Sequence, residues 1–231
     1  MAMAIDRQAI VKAIYNGYAE PMGVPVIGPG MDKYQYPYDP AAAKQLLKEA
    51  GYPNGFSFRA ISYVTAGLPE VPRIMEALAG YWQQIGLDPK ITAIEYATYN
   101  LRNISAGKTA GDVFIIALAP VADELSRVEL MMLPNVSQPI YEDEGSYAIY
   151  QAVSKNANIE ERAACAATLN QYYFDNVGPI PTVRAGRCYS WNSAKILPWP
   201  HPDSNNPQYY EYVRHAQPLY TFRLFTHWPG R

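Results

Sequence analysis

Residues 39–58 read DPAAAKQLLKEAGYPNGFSF, and they place a helix start, a helix stop, a turn and a strand start in immediate succession. Asp39 can accept a hydrogen bond from the orphan amides of a following helix, and Pro40 suits the first helical position, where a missing N–H costs nothing. Ala41, Ala42, Ala43, Leu46, Leu47 and Ala50 make a mostly apolar face, with Lys44, Lys48 and Glu49 turned toward water. Gly51 supplies the left-handed residue that closes a helix, and Pro53 bars its continuation. Asn54-Gly55 is a turn pair, and Phe56 to Ile61 alternates like a half-buried strand. The stretch predicts helix, tight turn, strand. That is a fold signal and not yet a function.

The same punctuation extends in both directions. Upstream, Asp6 reads as the cap of a helix whose apolar stripe is Ile10, Val11, Ile14 and Tyr15 and which ends at Gly17. Residues 19–38 are rich in Gly, Pro and Tyr without a helical period, and read as a long ordered loop of the kind that often carries function. Downstream, the strand at 56–63 leads into a helix from Pro69 to Ile85, and Lys90 to Tyr96 alternates as a second strand. A helix at Tyr99–Ser105 precedes the apolar run Val113–Leu118, which reads as a strand buried on both faces. Strands separated by helices imply an α/β fold with a parallel or mixed sheet flanked by helices. Beyond Pro120 the pattern predicts helices over 123–133, 144–155 and 159–174, then short strands at 180–183 and 187–191. Residues 220–227 alternate like a strand that must pair with something.

The chain has 231 residues, 49% hydrophobic and 17% charged, enough to bury a sizeable core as one large domain or two small ones. A net charge of -2 excludes the basic excess that a nucleic-acid-binding surface needs. No apolar run approaches the length of a membrane span. Met1 to Asp6 shows no basic region followed by an apolar core, so no secretory signal is visible in this chain. The 20 tyrosines offer large amphipathic contact area, common where a protein grips a ligand. Whether Cys165 and Cys188 pair stays open.

The sequence carries none of the common motifs of catalysis. His201, His215 and His227 lack metal-ligand spacing, so no metal site is expected. Gly28-Pro29-Gly30 lacks the Lys and helix start of a phosphate-cradling loop, and no Gly-x-Ser-x-Gly turn occurs. Glu142-Asp143-Glu144 reads as a solvated helix start, where carboxylates complement the dipole. No catalytic constellation emerges, and neither an enzyme nor a cofactor is expected.

The order AIDRQAIVKAIYNGYAEP, then a Pro/Gly/Tyr loop, then YPYDPAAAKQLLKEAGYPNGF, then EALAGYWQQIGLDPKITAIEY closely resembles the solute-binding proteins of peptide/nickel-type ABC importers, with the oligopeptide- and dipeptide-binding proteins among them. The match is collinear over residues 4–118 and weaker beyond, where GPIPTVRAGRCYSWNSAKILPWP is similar to the family's late strand region. The resemblance implies a lobe of the type II periplasmic-binding-protein fold, in which two α/β lobes enclose the ligand. Residues 1–219 would be the C-terminal lobe, with the N-terminal lobe absent from this sequence, and residues 220–231 a tail strand returning toward it. It further implies capture of a peptide or similar small solute, delivery to ABC permease subunits in the membrane, and a periplasmic or extracellular location.

The resemblance also implies a ligand-facing edge after Val113–Leu118, made by Leu118, Ala119, Pro120 and Asp123. Relatives often carry a Gly-Trp-x-Ala-Asp-type segment there. Ala122-Asp123 matches its end, and an aliphatic residue replaces the tryptophan, so the resemblance does not extend to how the best-known members hold a peptide's main chain. Strand carboxyl ends in α/β sheets are ligand sites on independent physical grounds. Tyr34, Tyr36 and Tyr38 have two readings, lining the cleft or packing the early loop onto the lobe. Two other functions stay open: a stand-alone interaction domain, whose exposed cleft face could pair two copies, and a hydrolase on an α/β scaffold.

Overall fold

The structure is a computed structural model, and it describes residues 1–26, 30–65, 68–96, 111–116, 125–134, 136, 140–153 and 158–185. The elements are α1 (Arg7–Tyr15), β1 (Ala19–Pro21), α2 (Pro40–Glu49), β2 (Ser57–Val64), α3 (Val71–Gln84), β3 (Asp88–Glu95), β4 (Asp112–Phe114), α4 (Ser126–Met131), α5 (Glu144–Val153), α6 (Ile159–Asp175) and β5 (Val183–Ala185), with 3-10 turns at Ala2–Ala4 and Met31–Lys33. None of the described helices is long and apolar enough to cross a membrane. All described residues belong to one compact unit.

The joint at 39–58 folds as its residues dictate. The Asp39 carboxylate accepts a hydrogen bond from the Ala42 amide at 2.8 Å, and Pro40 occupies the first turn of α2. At the other end Gly51 takes φ +87°, its N–H donates to the Lys48 carbonyl, and the Tyr52 N–H donates to the Leu47 carbonyl at 2.9 Å. These two bonds satisfy the last carbonyls of the helix. Of the expected apolar face only Ala43 is fully buried, while Leu46 is exposed. α2 therefore packs on the core by a narrow stripe. α1 is capped in the same way, by Asp6 accepting from the Ala9 amide at 2.8 Å.

β2 pairs in parallel with β3 from Ser57↔Asp88 to Val64↔Glu95, and with β4 from Arg59↔Asp112 to Ile61↔Phe114. The order is β3-β2-β4. The crossover helix α3 lays Ile74, Leu78 and Trp82 on this sheet, with Phe58 edge-on to Trp82 at 5.5 Å. A separate antiparallel ribbon joins β1 to β5, Ala19↔Ala185 through Pro21↔Val183. Parallel and antiparallel pairing thus both occur, in two sheets. β1 and the 3-10 turn at Met31–Lys33 lie inside the segment read as loop, and the late strand sits at 183–185 and not at 180–183. β3 begins two residues before Lys90, and Asp112–Phe114 is half-buried, although the apolar run predicts burial on both faces. The expected elements at 99–105, 187–191 and 220–227 fall outside the described residues.

A second core gathers Leu125, Val128 and Met132 of the α4 region with Cys165, Leu169 and Tyr173 of α6. Cys165 is a buried free thiol whose S–H points at the Ile149 carbonyl at 3.8 Å, and Cys188 lies outside the described residues. The acidic triplet opens α5 as expected, with the Asp143 carboxylate accepting from the Ser146 amide at 2.7 Å. Asn170, 3% exposed, reaches Val26, 144 residues away: its carbonyl oxygen accepts from the Val26 amide at 3.2 Å and its Nδ2 donates to the Val26 carbonyl at 2.9 Å.

This core is rich in phenols that resist ionisation. Burial, and the hydrogen bond that its hydroxyl donates to Glu129, push Tyr150 up to about 12, and burial pushes Tyr173 up to about 12. An unfolded phenol titrates near 10, so above that pH the unfolded chain gives up protons that the folded chain still holds. The contribution of these phenols to stability is therefore expected to be level below pH ~10 and to fall as pH climbs from about 10 to about 12. Thermal melts across that range, paired with phenolate absorbance, check this. Melting temperatures that stay flat through pH 12 would contradict it.

Candidate ligand-binding edge

The three strands of the parallel sheet all run the same way, so their carboxyl ends lie along one edge, and such edges are where α/β sheets receive ligands. The edge is aromatic. Tyr63, one residue from the end of β2, is 4% exposed, and its ring lies 4.5 Å from that of Tyr96, which directly follows β3. The Tyr63 hydroxyl donates to the Ile115 carbonyl, just past β4, at 2.7 Å. Burial raises the Tyr63 phenol far above its ordinary value, so it remains a donor at any physiological pH. Val64 beside it is 70% exposed.

Tyr34 and Tyr36 come together on one residue of α6. Tyr34 is 5% exposed with its ring 5.5 Å from that of Phe174. Tyr36 stacks on the same ring at 4.6 Å, and its hydroxyl donates to the Phe174 carbonyl at 2.9 Å. Both side chains fasten the early loop to the end of α6, and Gly23 lets that loop pass close, since a Cβ there would sit 1.9 Å from the Tyr34 carbonyl oxygen. Tyr36 also borders an open cleft of about 440 Å³, together with Tyr38, Gln35, Asp32 and the start of α1. Tyr38 is half exposed and meets Tyr81 edge-on at 5.9 Å.

Arg7 sits under this cleft. Its Nε donates to the Pro181 carbonyl at 3.0 Å, its Nη1 to the Ala2 carbonyl at 3.1 Å, and the guanidinium lies 5.4 Å from the Tyr36 ring centre. Nη2 has no hydrogen-bond partner among the described residues. Burial lowers the group to about 10, with the Tyr36 phenol opposing that shift, so it is cationic at neutral pH. The cleft carboxylates are partly engaged: Asp6 caps α1, and Glu20 pairs with Arg184 across the β1–β5 ribbon. The described cleft lining contains no histidine, cysteine, serine or threonine.

Leu118, Ala119, Pro120 and Asp123 lie outside the described residues, as do all three histidines. Among the described residues no group of three His, Cys, Asp or Glu side chains could hold a metal ion. Tyr63 and Tyr96 at this edge and Arg7 at the cleft are residues that the sequence reading does not single out. The signal for the first two is their place at the carboxyl ends of the expected strands 56–63 and 90–96, whereas nothing local marks Arg7, whose partner is 174 residues away.

With this architecture in place, the fold is that of the periplasmic binding proteins. The ABC transporter-associated periplasmic binding protein DppA from Helicobacter pylori, solved with the peptide STSA, superposes with a TM-score of 0.68 at 22% identity, over 80% of this chain and 37% of that one. NikA from Staphylococcus aureus, solved with Ni(L-His)2, gives 0.64 at 18% identity, over 80% of this chain and 40% of that one. The family model of bacterial extracellular solute-binding proteins, family 5 Middle, matches residues 1–131, more than half of the chain, and the chain belongs to that family. Heme-binding protein A from Haemophilus influenzae is 40% identical over 114 residues, which cover 47% of this chain and 21% of that protein. Glutathione-binding protein GsiB from Escherichia coli K12 is 38% identical over 95 residues, covering 40% and 18% respectively. The chain thus spans about a fifth of these curated relatives and two fifths of the solved structures.

Proposed function

We propose that this chain is the C-terminal-lobe part of the substrate-binding component of an ABC importer, capturing a peptide or a similar small solute against a second lobe. The observation that carries the reading is the single aromatic edge formed by the carboxyl ends of β2, β3 and β4 in a chain of this family. Leu118, Ala119, Pro120 and Asp123 continue from β4 along the sequence and are assigned to the ligand face, as are Tyr34 and Tyr36, which fasten the early loop to Phe174. Residues 1–219 form the lobe in this reading, and 220–231 return toward the N-terminal lobe. Closure of the two lobes is favoured by contacts that only the closed state makes. The chain carries out no chemistry on the solute; it hands it to permease subunits outside the cytoplasmic face. Named relatives and neighbours bind heme, glutathione, peptide STSA and Ni(L-His)2, which sets the panel to try.

The test is a thermal-shift and tryptophan-fluorescence titration with glutathione, short peptides, heme and nickel–histidine, on this chain alone and with a relative's N-terminal lobe added. A solute at 100 times its Kd adds about 2.7 kcal/mol, roughly 5–10 °C for a chain of this size. A shift that needs both lobes is the expected result. Silence from the two-lobed mixture across the panel would overturn the reading. The second reading is a stand-alone interaction domain that pairs two copies through an exposed cleft face. Sedimentation over a range of concentrations distinguishes that dimer from a monomeric lobe.

A further inference from the structure

Tyr63 does more than fill space at the sheet's edge. The β2–β4 ladder ends at Ile61↔Phe114, while β2 continues with β3 as far as Val64↔Glu95. One residue past the last β2–β4 pair, the Ile115 carbonyl accepts from the Tyr63 hydroxyl. On the other flank the same ring lies against Tyr96, immediately after β3. One side chain therefore spans the sheet from the exit of one edge strand to the exit of the other. A phenylalanine would fill the same volume, and only the hydroxyl reaches the backbone of β4's exit. A hydroxyl bonded to a main-chain carbonyl tethers that backbone, and in this part-buried position the tether is lost when the donor is removed.

We propose that Tyr63 is a positioning residue for ligand capture: its hydroxyl fixes the exit of β4 at Ile115 relative to the exit of β3, and so sets the spacing of the edge on which a solute is received. This rests on the reading of the edge as the ligand face. Sequence alone places Ile115 three residues before Leu118, the first residue assigned to that face. The Tyr63 ring supplies rigidity and the hydroxyl supplies the anchor.

The experiment compares amide hydrogen exchange in the wild-type chain, Tyr63→Phe and Tyr150→Phe. Tyr150 is a control of the same chemistry, a partly buried phenol donating to Glu129 at 3.0 Å and packed against the second core. In Tyr63→Phe, peptides covering 112–118 are expected to exchange about tenfold faster, the worth of one hydrogen bond, with α3 and β3 unchanged. Tyr150→Phe should leave 112–118 as in the wild type. A second variant, Tyr96→Leu, keeps the hydroxyl bond and removes the ring's backing, and should speed exchange in the same peptides by less. Unaltered exchange at 112–118 in Tyr63→Phe, or a uniform rise across every peptide, overturns the proposal. In the two-lobed titration, Tyr63→Phe should weaken whichever solute of the panel binds, and Tyr150→Phe should not. Equal affinity in wild type and Tyr63→Phe would also overturn it. If no solute binds the wild type, the functional reading fails, and the exchange comparison alone judges the anchor.

Discussion

Asn170→Ala is expected to destabilise the chain by about 4 kcal/mol, since it leaves a buried amide and a buried carbonyl unpaired at roughly 1–3 kcal/mol each. Both belong to Val26, which is fully buried, and Asn170 serves them with its two amide ends much as a neighbouring strand would. The loss is large because the damage falls on backbone that cannot turn elsewhere. Asn170→Asp sharpens the test: it keeps the acceptor, removes the donor to the Val26 carbonyl and puts a charge in the core, so it should be no better tolerated than alanine. Denaturant midpoints of the three chains measure this. A change below about 1 kcal/mol for Asn170→Ala would mean that Val26 finds other partners.

Gly55→Ala is the second large effect, expected at about 3 kcal/mol or more from steric overlap added to a left-handed backbone. Gly55 has φ +68°, and a Cβ there would lie 1.8 Å from the Gly86 carbonyl oxygen. The turn entering β2 therefore passes directly over the turn entering β3, and a methyl group must push the two apart. Gly51→Ala isolates the backbone contribution. Gly51 has φ +87°, and an added Cβ would meet nothing within 4 Å, so only the conformational cost of about 1–2 kcal/mol applies. Denaturant melts of the two variants make the comparison. Equal losses at the two glycines would show that the close approach of the turns costs nothing.

The elements that sequence revealed are those whose signals are local. Asp6 and Asp39 each cap a helix three residues ahead, Gly51 closes one, and Asp143 opens another; all act within a few residues of themselves. The strands expected at 56–63 and 90–96 also form, but their burial does not alternate as expected: Ala60 to Tyr63 are all buried, and Lys90 to Ala93 are all exposed. β1 escaped and β5 was placed at 180–183 because three residues carry no period, and each is a strand only through a partner far away in the chain, as Ala19 is through Ala185. The site divides along the same line. Strand ends marked the edge, while the reach of Tyr63 to Ile115 and the burial of Tyr34 against Phe174 depend on packing that no spacing encodes. The tyrosine-rich loop was legible as special, and the residue it clasps was not.

The bond from Arg7 to the Pro181 carbonyl has a consequence for biosynthesis. Its two ends are 174 residues apart, so at the ribosome's pace of roughly 5–20 residues per second the guanidinium waits about 10 to 35 s for its acceptor. Throughout that interval the guanidinium has only its local acceptor, the Ala2 carbonyl. This long-range contact is thus closed late, only after translation has passed Pro181.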